Sequence, residues 1–156
     1  MKPIRHHMNK IRDALEEVRE ETKDPMIKSE AVPLAEHEIN FEFVLSTVIW
    51  YDLLIAVDKV SKSLQNKSID VSVATSLLKG LQEYLQSYRE NNFELSLEVA
   101  KKICDDNDIE AVFKTKRSRK KRRLFEYEGT DTTTSDPKLL YYREYYLPII
   151  DQALNL

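Results

Sequence analysis

The chain has 156 residues, about the length of one domain, and its charged fraction of 33% is high for a globular protein. It has two glycines, Gly80 and Gly129, which excludes glycine-rich phosphate loops and disfavours a fold built on tight β-hairpins. The net charge of −3 is unevenly spread, because residues 114–123 hold eight basic residues and no acidic ones, and the remainder holds 16 basic against 27 acidic residues.

Apolar spacing and capping signals predict the first two helices. The first has an apolar residue at every third or fourth position and should end near Thr22. Asp24 followed by Pro25 is typical of a helix N-cap with proline at the first helical position. Pro33 should kink or interrupt the short second helix. The apolar stripe of the first helix consists of Ile4, Met8, Ile11, Leu15 and Val18.

The most apolar part of the chain, residues 41–64, is too long for a strand and predicts a helix that is buried on most sides. Its longest apolar run, residues 43–57, is too short to cross a bilayer, so we expect no membrane contact. Asp70 is a plausible N-cap for the next helix. The pair Asn91 and Asn92 should end that helix, and a separate helix should follow.

Residues 109–135 show no apolar period and contain the basic run. With few side chains suited to a core, the segment is expected to form a long, disordered basic loop. Asp136 before Pro137 repeats the N-cap signal, and Pro148 should kink the last helix. The apolar exceptions within the loop are Leu124, Phe125 and Tyr127.

These elements predict an all-α fold, an irregular bundle of five to six helices with one long basic loop. Residues 1–108 are expected to form the helical bundle and residues 109–135 the flexible loop. Residues 136–156 are expected to return as the C-terminal helix of the same domain.

No convergent catalytic or metal-ligating set is visible in the sequence. The three histidines, His6, His7 and His37, lack the spacing of zinc ligands, so we expect no metal and no cofactor. Cys104 lies on an apolar stripe and precedes two acidic residues, which favours a buried hydrophobe over a reactive thiolate. Asp52, the only acid in the longest apolar run, is interpreted either as a satisfied core polar group or as a group facing a groove.

The aromatic residues favour packing over ligand binding. Trp50 and Tyr51 lie in the most apolar helix, where packing is commoner than base stacking. Four tyrosines near the C-terminus cannot all face one core at regular helical spacing. They are interpreted as a rim whose rings pack while their hydroxyls reach water, or else as an exposed patch for a partner. These tyrosines are Tyr141, Tyr142, Tyr145 and Tyr146.

The basic run is the strongest functional signal. A block of this kind serves as a nuclear import signal, as a strap on nucleic-acid phosphates, as both, or as neither. Contact with phosphates would be salt-sensitive and largely independent of base sequence. The candidate residues are Lys114, Lys116, Arg117, Arg119, Lys120, Lys121, Arg122 and Arg123.

Several stretches together resemble a known family. They are residues 2–18 (KPIRHHMNKIRDALEEV), the helix-rich stretch 41–103 with LQSYRENNFE at 85–94, residues 116–128 (KRSRKKRRLFEYE) and residues 145–154 (YYLPIIDQAL). This pattern, which covers nearly the whole chain, resembles hAT-superfamily transposases, in particular the zinc-finger MYM-type and related transposon-derived proteins.

The resemblance implies that the chain corresponds to the early and middle part of a helical insertion domain. In that family the insertion interrupts a ribonuclease-H-like core, with the catalytic acids before and after it, a zinc-finger module upstream and a dimerisation segment downstream. The family's Arg-Trp motif would lie upstream of Lys2, and Trp50 resembles a packing position instead. No catalytic residue is therefore carried over, and the chain is expected to be a non-enzymatic fragment.

Three functional hypotheses remain open from the sequence. The first is a non-enzymatic, nuclear scaffold that contacts the DNA backbone and other transposase segments; it would be cytoplasmic if the basic run is not an import signal. The second is a domesticated nuclear module that binds other proteins. The third is a subunit that supplies part of a transposase or nuclease in trans. None of them involves a small-molecule substrate or a membrane.

Overall fold

The computed structural model describes residues 8–34, 39–114 and 136–155, without the side chains of Asn9 and Val32. All regular secondary structure in these ranges is helical, which confirms the predicted all-α fold. None of the helices in the described part of the chain combines the length and the apolar character that a membrane span requires. The predictions on the three histidines and on basic residues 116–123 lie outside the described ranges.

The helices follow one another in a simple order. We refer to residues 137–154, where two helices and a π-helical turn continue without interruption, as the C-terminal segment. The elements are α1 (Met8–Glu21), α2 (Pro25–Pro33), α3 (Phe41–Leu64), α4 (Val71–Asp106), α5 (Pro137–Tyr141), the π-helical turn π1 (Tyr142–Tyr146) and α6 (Leu147–Leu154).

Side-chain caps begin four of the helices. The carboxylates of Asp24, Asp70 and Asp136 accept hydrogen bonds from the backbone N–H two residues later, as the capping signals predicted. Asn40 caps α3 by accepting from the backbone N–H of Phe43. Each cap satisfies a backbone donor that the first turn of a helix leaves without a partner. The caps therefore fix where each helix begins.

The predicted break at Asn91 and Asn92 is wrong, because α4 runs through both as one helix of 36 residues. Asparagine in a helix interior costs less than about 0.7 kcal/mol relative to alanine. Burial of Tyr88 on one side of the pair and of Phe93 on the other holds the helix to the core across it. The Asn91 side chain also donates to the backbone carbonyl of Ser87. Packing thus outweighs the local preference.

The core lies between one half of the α3–α4 hairpin and the C-terminal segment. The buried residues of α3 end at Leu53 and those of α4 begin at Leu85, so only half of each helix faces the core. The prediction that α3 is buried on most sides therefore holds for its first half alone. In the N-terminal part of the chain, α1 and α2 pack on each other, and Met8 enters the core.

The irregularity predicted at Pro148 takes the form of π1. Proline has no backbone N–H to donate within the helix. The backbone N–H of Leu147, just before the proline, bonds to the carbonyl of Tyr142, five residues earlier. This wider turn is typical of a π-bulge. Pro33, in turn, is the last residue of α2, in agreement with its predicted interruption of that helix.

Candidate functional site

The four tyrosines of the C-terminal segment all reach the core. Tyr141 and Tyr146 are buried, and Tyr142 and Tyr145 pack against the core while half-buried. Ring centroids lie 5.0 Å apart for Tyr141 and Tyr145, and 5.5 Å apart for Tyr142 and Tyr146. The statement that they cannot all face one core is wrong, because π1 departs from regular helical spacing. The interpretation of these tyrosines as a rim whose hydroxyls reach water is therefore wrong for Tyr141 and Tyr146, which are buried.

Their hydroxyls connect the C-terminal segment to α3 and α4. The hydroxyls of Tyr141 and Ser46 are 2.9 Å apart, and Trp50 Nε1 donates to the Tyr145 hydroxyl at 3.0 Å. The Tyr146 hydroxyl donates to the backbone carbonyl of Tyr88. Trp50 is exposed at the edge of the fold and bonds to the C-terminal segment there, whereas the prediction placed it in the packing of the apolar helix.

The titratable groups of the core are held in their neutral forms. Burial raises the pKa of the Tyr88, Tyr141 and Tyr146 hydroxyls well above their usual value of 10. Cys104 is fully buried, as predicted, and burial raises the pKa of its thiol to about 11. None of these groups is an ionised nucleophile at neutral pH.

Asp52 is a satisfied polar group at the edge of the core, which is one of the two interpretations that its position allowed. It is half-buried, and its carboxylate accepts a hydrogen bond from the Tyr88 hydroxyl at 3.3 Å. The Tyr88 hydroxyl also lies 3.1 Å from that of the buried Ser96. The three side chains tie the middle of α3 to α4.

A cleft of about 340 Å³ lies between the N-terminal end of α3 and the C-terminal segment. Its lining includes Lys114, the first residue of the basic run, and Pro137, which lies 14 residues after the run ends. The remaining lining residues are Asn40, Glu42, Phe43, Ser46, Leu140, Tyr141, Glu144 and Tyr145.

Residues 109–114, which lead into the basic run, fix the chain at this cleft. The Phe113 ring packs edge-on against Phe41 at 5.0 Å and lies 5.6 Å from the Tyr141 ring. Ile109 is buried, and the backbone N–H of Lys114 donates to Glu42 Oε1 at 3.1 Å. The prediction that this segment lacks side chains suited to a core is wrong at its start.

A signal in the sequence could have revealed this anchor. Ile109, Ala111 and Phe113 alternate with Glu110 and Val112, which is the period of an extended chain with one apolar face. All three alternate residues pack on the core, while the two residues between them are exposed. The long basic run that follows masked this short pattern.

On the other side of the basic run, the chain is fixed by the start of α5. Asp136 caps the helix, and Lys138 Nζ lies 2.7 Å from Glu94 Oε1 of α4 and 6.0 Å from the centre of the Phe93 ring. Further along the segment, Arg89 forms a two-pronged ion pair with Asp151. Hydrogen bonding to Arg89 lowers the pKa of Asp151 below its usual value. The C-terminal segment is thus held to α4 at both ends.

The cleft by itself is not an anion site, because it combines Glu42 and Glu144 with one basic side chain, that of Lys114. Of the eight candidate basic residues, the structure describes Lys114, which is exposed at the cleft; the other seven lie outside the described ranges. Within the described ranges, no cluster of His, Cys, Asp and Glu side chains is arranged to hold a metal ion. Comparisons of the chain with protein-family models, curated proteins and solved structures give no match.

Proposed function

We propose that this chain is a non-enzymatic helical scaffold that holds residues 114–123 against the DNA backbone. The observation that best supports the proposal is the anchoring of the chain on both sides of the basic run at one cleft. Phe113 and Lys114 fix the chain at the start of the run, and Lys138, after the run, fixes it to Glu94 of α4. The chain is therefore held to the folded body both at the start of the basic run and after it.

The charge distribution supports an orientation for such a contact. Outside residues 114–123 the chain has 16 basic and 27 acidic residues, so most of the body repels phosphates. DNA would approach the cleft end of the molecule, where the basic run begins. Contacts with phosphates carry little base specificity, and the binding would be non-specific.

The resemblance to hAT-type transposases supports the same role. In that family the helical insertion accompanies a catalytic core whose acidic residues would fall outside this chain. The neutral, buried state of Cys104 and of the core tyrosines is consistent with a structural part. The same basic residues would also serve as a nuclear import signal, so the proposed scaffold would act in the nucleus.

The test is the salt dependence of binding to a labelled DNA duplex, measured by fluorescence anisotropy. Each lysine or arginine that contacts a phosphate contributes about 0.9 to the slope of log K against log salt concentration. Replacing Arg117, Arg119, Lys120 and Arg122 with alanine should weaken binding and lower the slope by about 3.6. The matched control replaces four exposed lysines of the body with alanine: Lys23, Lys28, Lys101 and Lys102.

The control makes the same change in net charge and should leave the slope within about 1 of the wild-type value. An equal loss of DNA affinity and slope in both variants would mean that only the net charge matters, and it would contradict the proposed contact. The absence of binding at about 50 mM salt, where phosphate contacts are strong, would also overturn it.

A further inference from the structure

The distal hairpin, residues 54–84, extends beyond the buried residues of the core, with Leu81 packed at the core's edge, and carries exposed apolar side chains. Core burial stops at Leu53 on α3 and at Leu85 on α4. Beyond these positions the side chains of Leu54, Val57, Leu78 and Val71 are 43%, 40%, 52% and 78% exposed. Val73 and Tyr84 are also exposed, so the hairpin exposes six large apolar side chains, as interaction surfaces do.

The two residues on α3 continue a face that the C-terminal segment uses nearer the core. Trp50, on that face, donates its indole hydrogen bond to Tyr145 of π1. Leu54 and Val57 follow Trp50 by four and seven residues, which places them on the same side of the helix. Phe43 lies seven residues before Trp50. The apolar positions from Phe43 to Val57 therefore follow the average repeat of 3.5 residues that is typical of a coiled-coil seam.

On α4, Leu78 and Val71 likewise continue a face that contacts the C-terminal segment nearer the core. Arg89 faces α6, where it pairs with Asp151. Leu78 and Val71 precede Arg89 by 11 and 18 residues, or about three and five helical turns, and so lie on the same side of α4. The last helix reaches three residues beyond Asp151, and among the described residues Leu78 and Val71 on this side of the hairpin remain exposed.

Charge indicates what can cover the bare face. The distal hairpin has four basic and three acidic residues, whereas the chain outside it and outside residues 114–123 has 12 basic and 24 acidic residues. Two copies of so acidic a body repel each other over most of their surface. The distal hairpin has a net charge of +1 and exposes apolar side chains, so two copies would repel each other little at this surface.

We propose that the distal hairpins of two copies of this chain pack face to face about a twofold axis. In such a contact Leu54, Val57, Val71 and Leu78 of each copy meet the same surface of the other, as an isologous interface requires. Two hairpins packed in this way form a four-helix arrangement, a common solution for paired helical hairpins.

This contact is independent of the proposed DNA contact. Glu42, where the basic run is anchored, and Val57 are 15 residues apart on α3, or about 22 Å along the helix. Dimerisation would therefore leave Glu42 and Lys114 of each copy away from the contact. Failure of one proposal would not imply failure of the other.

The test is sedimentation analysis of the full chain from about 1 µM to about 100 µM. The wild-type chain should shift from its 18.3 kDa monomer to a dimer over this range. The double variant Leu54→Asp, Leu78→Asp should raise the dissociation constant at least about 100-fold, because each interface would bury unpaired carboxylates. The matched control, Leu95→Asp with Leu139→Asp, changes two exposed leucines of the core half and should dimerise as the wild type does.

A second variant, Val57→Asp with Val71→Asp, should also be monomeric, and circular dichroism should show wild-type helix content and melting in both. Repeating the wild-type measurement in about 1 M salt, where the Debye length is about 3 Å, separates apolar docking from pairing of the basic run with an acidic body. Apolar docking should persist at high salt. A monomeric wild type, a dimer that dissociates in salt, or a dimer that survives in both distal variants would overturn the proposal.

Discussion

At the scale of single residues, the tyrosines of the C-terminal segment have two roles at once. Their rings fill the core between α3 and α4, and their hydroxyls bond to groups on both helices. Tyr146 is the clearest case, because its ring is fully buried while its hydroxyl donates to the Tyr88 carbonyl. A buried hydroxyl without a partner would cost free energy, so the bond is part of what holds π1 in place.

Tyr146→Phe keeps the ring and removes that one hydrogen bond. We expect the free energy of unfolding to fall by about 1 kcal/mol, the usual net value of a buried hydrogen bond. Urea denaturation followed by circular dichroism measures the change. Tyr142→Phe removes the hydroxyl of a neighbouring half-buried ring and should cost less. A larger loss for Tyr142→Phe than for Tyr146→Phe would contradict the role assigned to the bond.

At the scale of whole elements, local signals in the sequence predicted what local chemistry determines. The bounds of α3 and the caps at Asp24, Asp70 and Asp136 agree with their predictions, because a capping carboxylate and an apolar period act within a few residues. The unbroken course of α4 and the π-turn π1 depend on packing against distant parts of the chain. The pattern of residues in one sequence says little about which distant parts of the chain pack together.

The candidate site shows the same division. Lys114 was recognisable as part of a basic run from composition alone. The anchor beside it was not recognised, because Phe113 acts through rings of α3 and of α5 that lie 72 and 28 residues away in the sequence. Only the fold brings Phe41, Phe113 and Tyr141 together.

Phe113→Ala tests whether this anchor stabilises the fold. The ring is half-buried, so we expect a loss of about 2 kcal/mol in the free energy of unfolding, below the range for fully buried phenylalanines. Val112→Ala, at the adjacent exposed position, should change it by less than about 0.5 kcal/mol. Chemical denaturation of the two variants gives both values. Equal effects would mean that Phe113 does not hold residues 109–114 to the core.

At the scale of the whole molecule, the structure separates three kinds of surface along the α3–α4 hairpin. The cleft lies at one end, where the basic run is anchored, and the core occupies the neighbouring half. The distal hairpin forms the other end and carries the exposed apolar side chains. This arrangement keeps the proposed DNA contact and the proposed dimer contact apart, with the tyrosine-rich core between them.

Because that core contains so many phenols, the stability of the whole molecule should depend on alkaline pH. Burial raises the pKa of Tyr88, Tyr141 and Tyr146 above 10, while in the unfolded chain these hydroxyls ionise near 10. Their contribution is fully present below pH 10 and is lost as the pH rises towards the raised values. Each hydroxyl still protonated in the folded state should lower the free energy of unfolding by about 1.4 kcal/mol per pH unit above 10.

Ultraviolet absorbance of tyrosinate and urea denaturation between about pH 8 and pH 11 measure this dependence together. In the folded protein the absorbance of the buried tyrosines should change only as circular dichroism reports unfolding. In urea all eight tyrosines should ionise together near pH 10. If the folded protein shows the same single transition as the unfolded one while its helix content stays constant, the tyrosines of the core are accessible to solvent. In that case the packing of the C-terminal segment against α3 and α4 is not what the structure describes.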